Sequence, residues 1–438
     1  MELQSFIKKI LIISIVFISQ WSVGQVPYER ILNSNDEPQN WLTYNGGYMS
    51  QRHSLLDQIN RENVNQLELK WVLQNQVFGA WQSNPIIVDG IMYVTERPNS
   101  VMAVDAVTGR VFWKYRHQNA DNALVCCGAN NRGVALLNDK VYMGTLDAHL
   151  VALDRVNGQL LWKAEVGDVN LAYSVTMAPL AVKDKILVGV GGGEFGIRGY
   201  VAAFDAETGA QAWKTYTIPS PGEANHDSWE GDDWEHGGAP VWITGSFDAD
   251  LNLTYWGVGN PGPDWNAGQR PGDNLYSDSA IALDADTGEL KWYFQFTPND
   301  AYDYDSVQVP VLADMEWRGE AKKVMMWANR NGYFYVLDRT NGQFLEGKPY
   351  VKVNWSSGLD VNGRPIPSPQ PEGMPTYPGN QGGTNWYPPS YSPSTGLFYF
   401  SAWENYATIY RAEESEYVPG RAFLGGGFSV LAPSPGAP

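Results

Sequence analysis

Cysteine is nearly absent from this chain: two in 438 residues, and the two are neighbours, Cys126 and Cys127. A disulfide framework stapling distant segments is therefore excluded. No Cys-x-x-Cys-His run exists, which excludes covalent attachment of a c-type haem. Histidine is scarce too. His53, His117, His149, His226 and His236 show no zinc-ligand spacing and receive no role. Basic residues number 30 against 48 acidic ones, a net charge of −18, which argues against a nucleic-acid partner, whose phosphates demand the opposite sign. That charge suits a basic protein partner or simple solubility. Long apolar runs are missing as well. The longest, residues 10–17, falls short of the ~20 residues a membrane-spanning helix needs. It follows Lys8 and Lys9 and precedes Ser22, Val23 and Gly24, a charged region, a short apolar region and small residues that together describe a secretory leader. The expectation is a signal peptide over 1–24, cleaved after Gly24, no membrane span afterwards, and export to a periplasm.

What the chain has in abundance is Trp (18), Tyr (24) and Gly (45), the composition of strands and tight turns. A repeat emerges when segments are aligned. Residues 101–113 read VMAVDAVTGRVFW, 150–162 LVALDRVNGQLLW, 201–213 VAAFDAETGAQAW and 280–292 AIALDADTGELKW. A fifth copy, FYVLDRTNGQF at 334–344, lacks the tryptophan. Each copy is an apolar strand, an Asp-x-x-x-Gly turn and a second strand. Asp hydrogen-bonds its own turn backbone and Gly supplies a positive φ, so each unit is a β-hairpin. Further strands such as 85–94 and 185–190 lie between copies. Four strands per unit at roughly fifty-residue spacing predict an all-β propeller of four-stranded blades. The recurring tryptophan is expected to wedge between adjacent blades. An insertion rich in Trp, Asp and Glu, 219–236, and a Pro- and Gly-rich passage, 356–385, interrupt the pattern, as loops that shape a site do.

The cysteine pair sits in VCCGANNRG, residues 125–133. Successive Cα atoms lie ~3.8 Å apart, below the usual disulfide span of ~4.4–6.8 Å, so a ring closed between the two thiols is strained. It also closes almost no loop, so it adds little by chain entropy. Two readings stand: a pair of buried free thiols, or a rigid, flat sulfur platform set against something planar.

Three features together, the Cys-Cys pair followed by Asn131, Arg132 and Gly133, the Asp-turn-Trp repeats, and the loop RPGDN at 270–274, resemble the quinoprotein alcohol dehydrogenases of the methanol and ethanol dehydrogenase type. The likeness runs from about Trp41 to the end. It implies an eight-bladed propeller that binds pyrroloquinoline quinone (PQQ) and one metal ion, and oxidises primary alcohols to aldehydes by hydride transfer to the quinone. Against that family this chain is short at its C-terminus and is expected to lack the last blades, with residues 25–438 forming the PQQ-binding domain. The resemblance makes Cys126 and Cys127 a vicinal disulfide stacked on one face of PQQ, with Trp242 on the other, where an aromatic ring gains most from offset stacking. It gives the PQQ carboxylates to Arg132 and Thr176, a close backbone approach to Gly192 and Gly193, and further PQQ contacts to Asn385 and Trp386.

The metal is assigned by the same resemblance to the oxygens of Glu194, Asn260 and Asp303, the hard ligands that hard cations prefer. Asp303 is also the expected catalytic base, and Arg330 the arginine at the quinone oxygens. A carboxylate beside a cation is ionised at neutral pH, as a base must be. Asp305, two places after the base, matches an aspartate of the lanthanide-using members, where a further negative ligand suits a trivalent ion. A lanthanide is thus expected, with calcium as the fallback. Gln82 departs from the glutamate that relatives place against the cofactor. Electrons are expected to leave to a soluble cytochrome c, with a small alcohol as substrate. The rival reading is a non-catalytic scaffold or an inactive truncated relative, since propellers of this repeat type also serve assembly.

Overall fold

The computed structural model describes residues 24–431, so the expected leader over 1–24 lies, apart from Gly24, outside the described residues. Among these residues five antiparallel four-stranded sheets follow one another, each with its strands in chain order. The first comprises Ile86–Val88, Ile91–Glu96, Ser100–Asp105 and Val111–Arg116. The second comprises Ala135–Leu137, Lys140–Gly144, His149–Asp154 and Leu160–Glu165. Blades three to five have their first strands at Leu180–Val182, Ser246–Asp248 and Val311–Trp317. Three two-stranded ladders follow, pairing Ser356–Leu359 with Pro365–Pro367, Ser390–Ser392 with Leu397–Tyr399 and Ala407–Ala412 with Gly426–Leu431. The fold is the all-β propeller that the repeat predicts.

The fourth strand is the least buried of each blade. In the second, Ala135–Leu137 is buried throughout, whereas Leu160–Glu165 alternates exposed and half-buried positions. First strands therefore line the core and fourth strands the rim. Between the third and fourth strands every blade carries the same register slip, at Ala103/Val104, Ala152/Leu153, Ala203/Phe204, Ala282/Leu283 and Val336/Leu337. A bulge of this kind adds local twist to the outer edge.

The turn chemistry is as read from the repeat. Asp105 Oδ1 accepts from the amides of Val107 (2.9 Å) and Thr108 (3.3 Å), and Gly109 holds φ +75°. What the sequence does not disclose is where each tryptophan lands: on the turn glycine of the following blade. A Cβ on Gly158 would stand 2.4 Å from the Trp113 ring, one on Gly209 2.7 Å from Trp162, one on Gly288 2.5 Å from Trp213 and one on Gly342 2.6 Å from Trp292. Each indole N–H then donates to a backbone carbonyl beside that turn: Trp113 to Arg155 (3.0 Å), Trp162 to Ala206 (3.3 Å), Trp213 to Ala285 (3.3 Å) and Trp292 to Arg339 (3.1 Å). The tryptophans thus wedge between blades as expected. Trp71, which precedes the first repeat and was not singled out, does the same on Gly109, donating to Ala106 at 3.1 Å.

Antiparallel order also fixes where function can sit. In a four-stranded meander the turns joining strands one to two and three to four emerge at one end. The loops joining two to three, and those leading to the next blade, emerge at the other. The Asp-x-x-x-Gly turns take the first end, and every candidate site residue lies on a loop at the second.

Candidate functional site

Loops between blades carry Cys126, Cys127 and Arg132 (first to second), Thr176 (second to third), Trp242 (third to fourth), and Asp303 and Asp305 (fourth to fifth). Loops between second and third strands carry Glu194, Asn260 and Arg330 in blades three, four and five. Asn385 and Trp386 precede the ladder strand Ser390–Ser392. Meander topology brings these loops, distant in sequence, to one face.

Arg330 is the hub of one network. It is 4% exposed. Its Nη1 donates to Asp305 Oδ2 at 2.6 Å, its Nη2 to Asp303 Oδ2 at 3.0 Å, and its Nε to the Asn380 carbonyl at 2.8 Å. Asp305 Oδ1 in turn accepts the Asn260 amide (3.0 Å) and the Trp242 indole N–H (3.3 Å). Room for that carboxylate comes from Gly259, where a Cβ would stand 2.3 Å from Asp305 Oδ1. Gln308, also absent from the sequence reading, orients the hub. Its Oε1 accepts from the Arg330 amide (3.3 Å) and from Trp327 Nε1 (3.1 Å).

Arg132 organises the second network. It is 5% exposed. Its guanidinium carbon lies 4.8 Å from the Trp242 ring centre and 5.2 Å from that of Trp386. Nη1 donates to Thr176 Oγ1 at 2.8 Å, and more weakly to the Thr176 and Trp242 carbonyls at 3.4 Å. Its Nε is buried without a partner, and among the described residues no carboxylate lies in ion-pair range of it. Burial lowers this guanidinium to about 10. A desolvated cation without an anion is costly. Two buried oxygens without partners belong to neighbouring segments, Gln82 Oε1 and Thr384 Oγ1. Asn385 uses its amide within its own turn, donating to the Gln381 carbonyl (3.0 Å) and accepting from the Trp386 amide (2.8 Å).

The cysteine pair faces Glu194. Ligand atoms of Cys126, Cys127 and Glu194 all lie within 4.8 Å of one another, the one such group among the described residues. Cys127 takes φ +62° and its carbonyl accepts from Asn130 Nδ2 at 2.9 Å. Both cysteines are free thiols in the structure, so the vicinal disulfide that the resemblance implies is not formed there. Nor are Glu194, Asp303 and Asp305 drawn into one tight group, because the Arg330 fork takes up the two aspartates. Gly192 and Gly193 are tight against protein: a Cβ would stand 2.4 Å from the Ala172 carbonyl oxygen at 192 and 3.0 Å from Pro240 at 193.

The electrostatics are dominated by crowded carboxylates. Burial pushes the Asp303 carboxyl well above its ordinary value. Arg330 pulls it back, and Asp305, Asp264 and Glu194 push it further. Burial likewise raises Glu194, with Asp305 adding and Arg330 opposing. Beneath them lies a layer the sequence reading missed: Asp264, Asp278 and Asp300 around the fully buried Arg270. Burial raises Asp264 and Asp278 well above the usual range and Asp300 to about 6. Arg270 donates to the carbonyls of Pro263 (3.1 Å) and Asp264 (3.3 Å), to that of Asp300 and to Asn274 Oδ1 (2.9 Å). Arg270 opens the RPGDN loop, but the three aspartates belong to no motif: the Asp300 carboxyl accepts the Tyr302 (2.9 Å) and Tyr304 (2.8 Å) amides, which leave no trace in residue identity.

Residues 41–354 match the family described as glucose/ethanol/alcohol dehydrogenase, PQQ-type β-propeller domain, and this chain belongs to that PQQ-dependent alcohol dehydrogenase family. Among its relatives is quinoprotein alcohol dehydrogenase PedH of Pseudomonas putida, 39% identical over 96% of this chain and 75% of its own length. The lanthanide-dependent methanol dehydrogenase of Methylacidiphilum fumariolicum is 37% identical over 91% of this chain and 70% of its own. A solved europium-containing methanol dehydrogenase superposes with a TM-score of 0.87 at 36% identity, covering 92% of this chain and 75% of the other. The chain spans only 60% of quinohemoprotein alcohol dehydrogenase ADH IIB of Pseudomonas putida. Among the described residues no helix is long and apolar enough to cross a membrane.

Proposed function

We propose that this protein is a periplasmic PQQ- and metal-dependent dehydrogenase that oxidises primary alcohols to aldehydes and passes electrons to a soluble cytochrome c. The observation that carries the reading is Arg132: a buried guanidinium with no carboxylate in ion-pair range among the described residues, flanked by Trp242 and Trp386. PQQ is a planar tricarboxylate, so it fits both the missing anion and the aromatic walls. The residues that would hold it are Arg132, Thr176, Trp242, Asn385 and Trp386, with the Cys126–Cys127 pair, closed as a disulfide in an exported protein, on the opposite face. When bound, PQQ accepts two electrons and the cation polarises it.

The chain's own residues supply the rest. Asp303 takes the alcohol proton, which requires its carboxylate form. Burial alone works against that form, whereas Arg330 and a cation on Glu194, Asn260 and Asp303 favour it. With all three carboxylates ionised against one guanidinium the excess negative charge is two, which a multivalent cation offsets. Asp305 tips the choice towards a lanthanide. Calcium has one observation in its favour: Asp305 already has Arg330, Asn260 and Trp242 as partners, so it serves equally as an anchor for the arginine. The net charge of −18 suits a basic electron acceptor.

The test is to mix the protein with PQQ and either Ca²⁺ or La³⁺ and follow alcohol-dependent dye reduction. Turnover with lanthanide, shifted towards calcium by Asp305→Ala, supports the reading. Failure to bind PQQ with either ion, in a folded protein, overturns it in favour of a scaffold.

A further inference from the structure

The five histidines carry no motif, yet two of them meet one buried aspartate on the face that bears the site. Asp147, 3% exposed, lies between the second and third strands of the second blade. His117 lies one residue past the fourth strand of the first blade, at the root of the loop that carries Cys126 and Cys127. His117 Nε2 stands 2.9 Å from Asp147 Oδ1 and 3.1 Å from Oδ2. Thr145 Oγ1 donates to Oδ1 at 2.6 Å, and the Ala120 amide, three residues into the loop, donates to Oδ2 at 3.2 Å. His149 Nδ1 approaches Oδ1 at 3.5 Å from the other side. Tyr115 Oη lies 3.4 Å from His117 Nδ1, which suits a tautomer whose Nε2–H donates to the aspartate.

We propose that His117 and Asp147 are positioning residues, a clasp between the first two blades that fixes the near end of the 118–131 loop and so sets where the cysteine pair stands. The far end is already fixed. Asn131 Nδ2 donates to the Gly144 carbonyl (2.9 Å), and the Arg132 amide donates to the Thr176 carbonyl (3.1 Å). Between these ends the loop has no strand of its own, and Cys127 is exposed. The His117 amide also donates to the Asn99 carbonyl (2.9 Å) and Asn122 Nδ2 to Asn170 Oδ1 (2.8 Å), and the clasp adds to these ties in confining the middle of the loop. Burial pushes the Asp147 carboxyl up, but the hydrogen bonds it accepts from His117 and Thr145, with His149 close by, outweigh it and hold the group well below the usual carboxylate range, so Asp147 enters the clasp as a carboxylate. Its consequence for the cofactor rests on the function proposed above; the clasp itself does not.

The experiment is hydrogen exchange by mass spectrometry on the whole apo-protein. Wild type is compared with His117→Phe, His117→Gln, Asp147→Asn and His149→Phe, and reduced Cys126 and Cys127 are alkylated in parallel. With His117→Phe and Asp147→Asn, exchange over 118–131 and alkylation are expected to rise about tenfold while blades three to five exchange as before. His117→Gln, which keeps a donor for Asp147, is expected to stay within about twofold of wild type, as is His149→Phe. The proposal is overturned if 118–131 is unchanged in folded His117→Phe, or if exchange accelerates equally in every blade. Should the phenylalanine variant not fold, Asp147→Asn, equal in size, decides by the same readout. PQQ affinity, followed by tryptophan quenching, should weaken about tenfold in the loosened variants. If wild type binds no PQQ, the proposed function fails, and the exchange result still judges the clasp.

Discussion

Replacing Arg330 by Met tests the charge balance of the site directly. The side chain is 4% exposed and its fork is bonded to Asp305 at 2.6 Å and Asp303 at 3.0 Å. Methionine fills much of the same volume but leaves the buried Asp305 and the half-buried Asp303 without their shared cation. Removing one partner of a buried ion pair costs about 3–5 kcal/mol, because the remaining charge stays desolvated. In chelator, urea unfolding followed by tryptophan fluorescence should therefore show a loss of that size. Adding La³⁺ or Ca²⁺ should then restore stability. A ligand at a hundred times its dissociation constant contributes about 2.7 kcal/mol, and the variant should gain more than wild type, since the guanidinium no longer competes for Asp303 and Asp305. A variant within about 1 kcal/mol of wild type in chelator would mean that Arg330 does not neutralise these carboxylates. A variant destabilised as expected but indifferent to every cation would remove the aspartates from the metal site.

Gly158→Ala should lower stability by about 2–4 kcal/mol, the sum of a residue forced to positive φ and a displaced Trp113 that loses its bond to Arg155; an equilibrium unfolding curve measures it, and a change below about 0.5 kcal/mol refutes the docking argument. Trp242→Phe keeps an aromatic wall beside Arg132 but removes the N–H that Asp305 accepts, so PQQ affinity, read by titration, should fall less than with Trp242→Ala. Asp147 is held below its ordinary value, so its stabilisation is complete above the unfolded carboxylate pKa of about 4 and is lost as pH falls through the depressed folded value. Exchange protection over 118–131, where Asp147 faces His117 and His149, should accordingly fall on acidification in wild type and lose that dependence in Asp147→Asn.

Much of the architecture was legible because it is written in local chemistry. Asp105, Gly109 and Trp113 recur as a unit; the first two act within their own turn and the third at the edge facing the next blade, so spacing predicts hairpin, blade and wedge but not that Gly158 is the seat of Trp113. Trp71 escaped because its repeat context is missing from the preceding sequence. The site was legible only as a resemblance, and the networks that support it were not. Arg330 is held by the carbonyl of Asn380, fifty residues on, and a carbonyl leaves no trace in residue identity. Gln308 and Asp147 are ordinary polar residues until the topology brings Arg330 and His117 to them. The expected metal oxygens come from three loops, and whether they converge depends on which partner Asp303 and Asp305 take, a choice that sequence does not express.

The seating of each indole on the next turn's glycine has a consequence beyond stability. The joint has a knob side and a socket side, so one module presents a knob forward and offers a socket backward, and the series has a direction, like couplings on a train. Such a joint is heterologous and self-consistent for any number of modules. A defect in one coupling is felt by two neighbours rather than by the whole. Lineages can therefore gain or lose a module, or reshape the loops at the opposite end, while every remaining coupling stays mated.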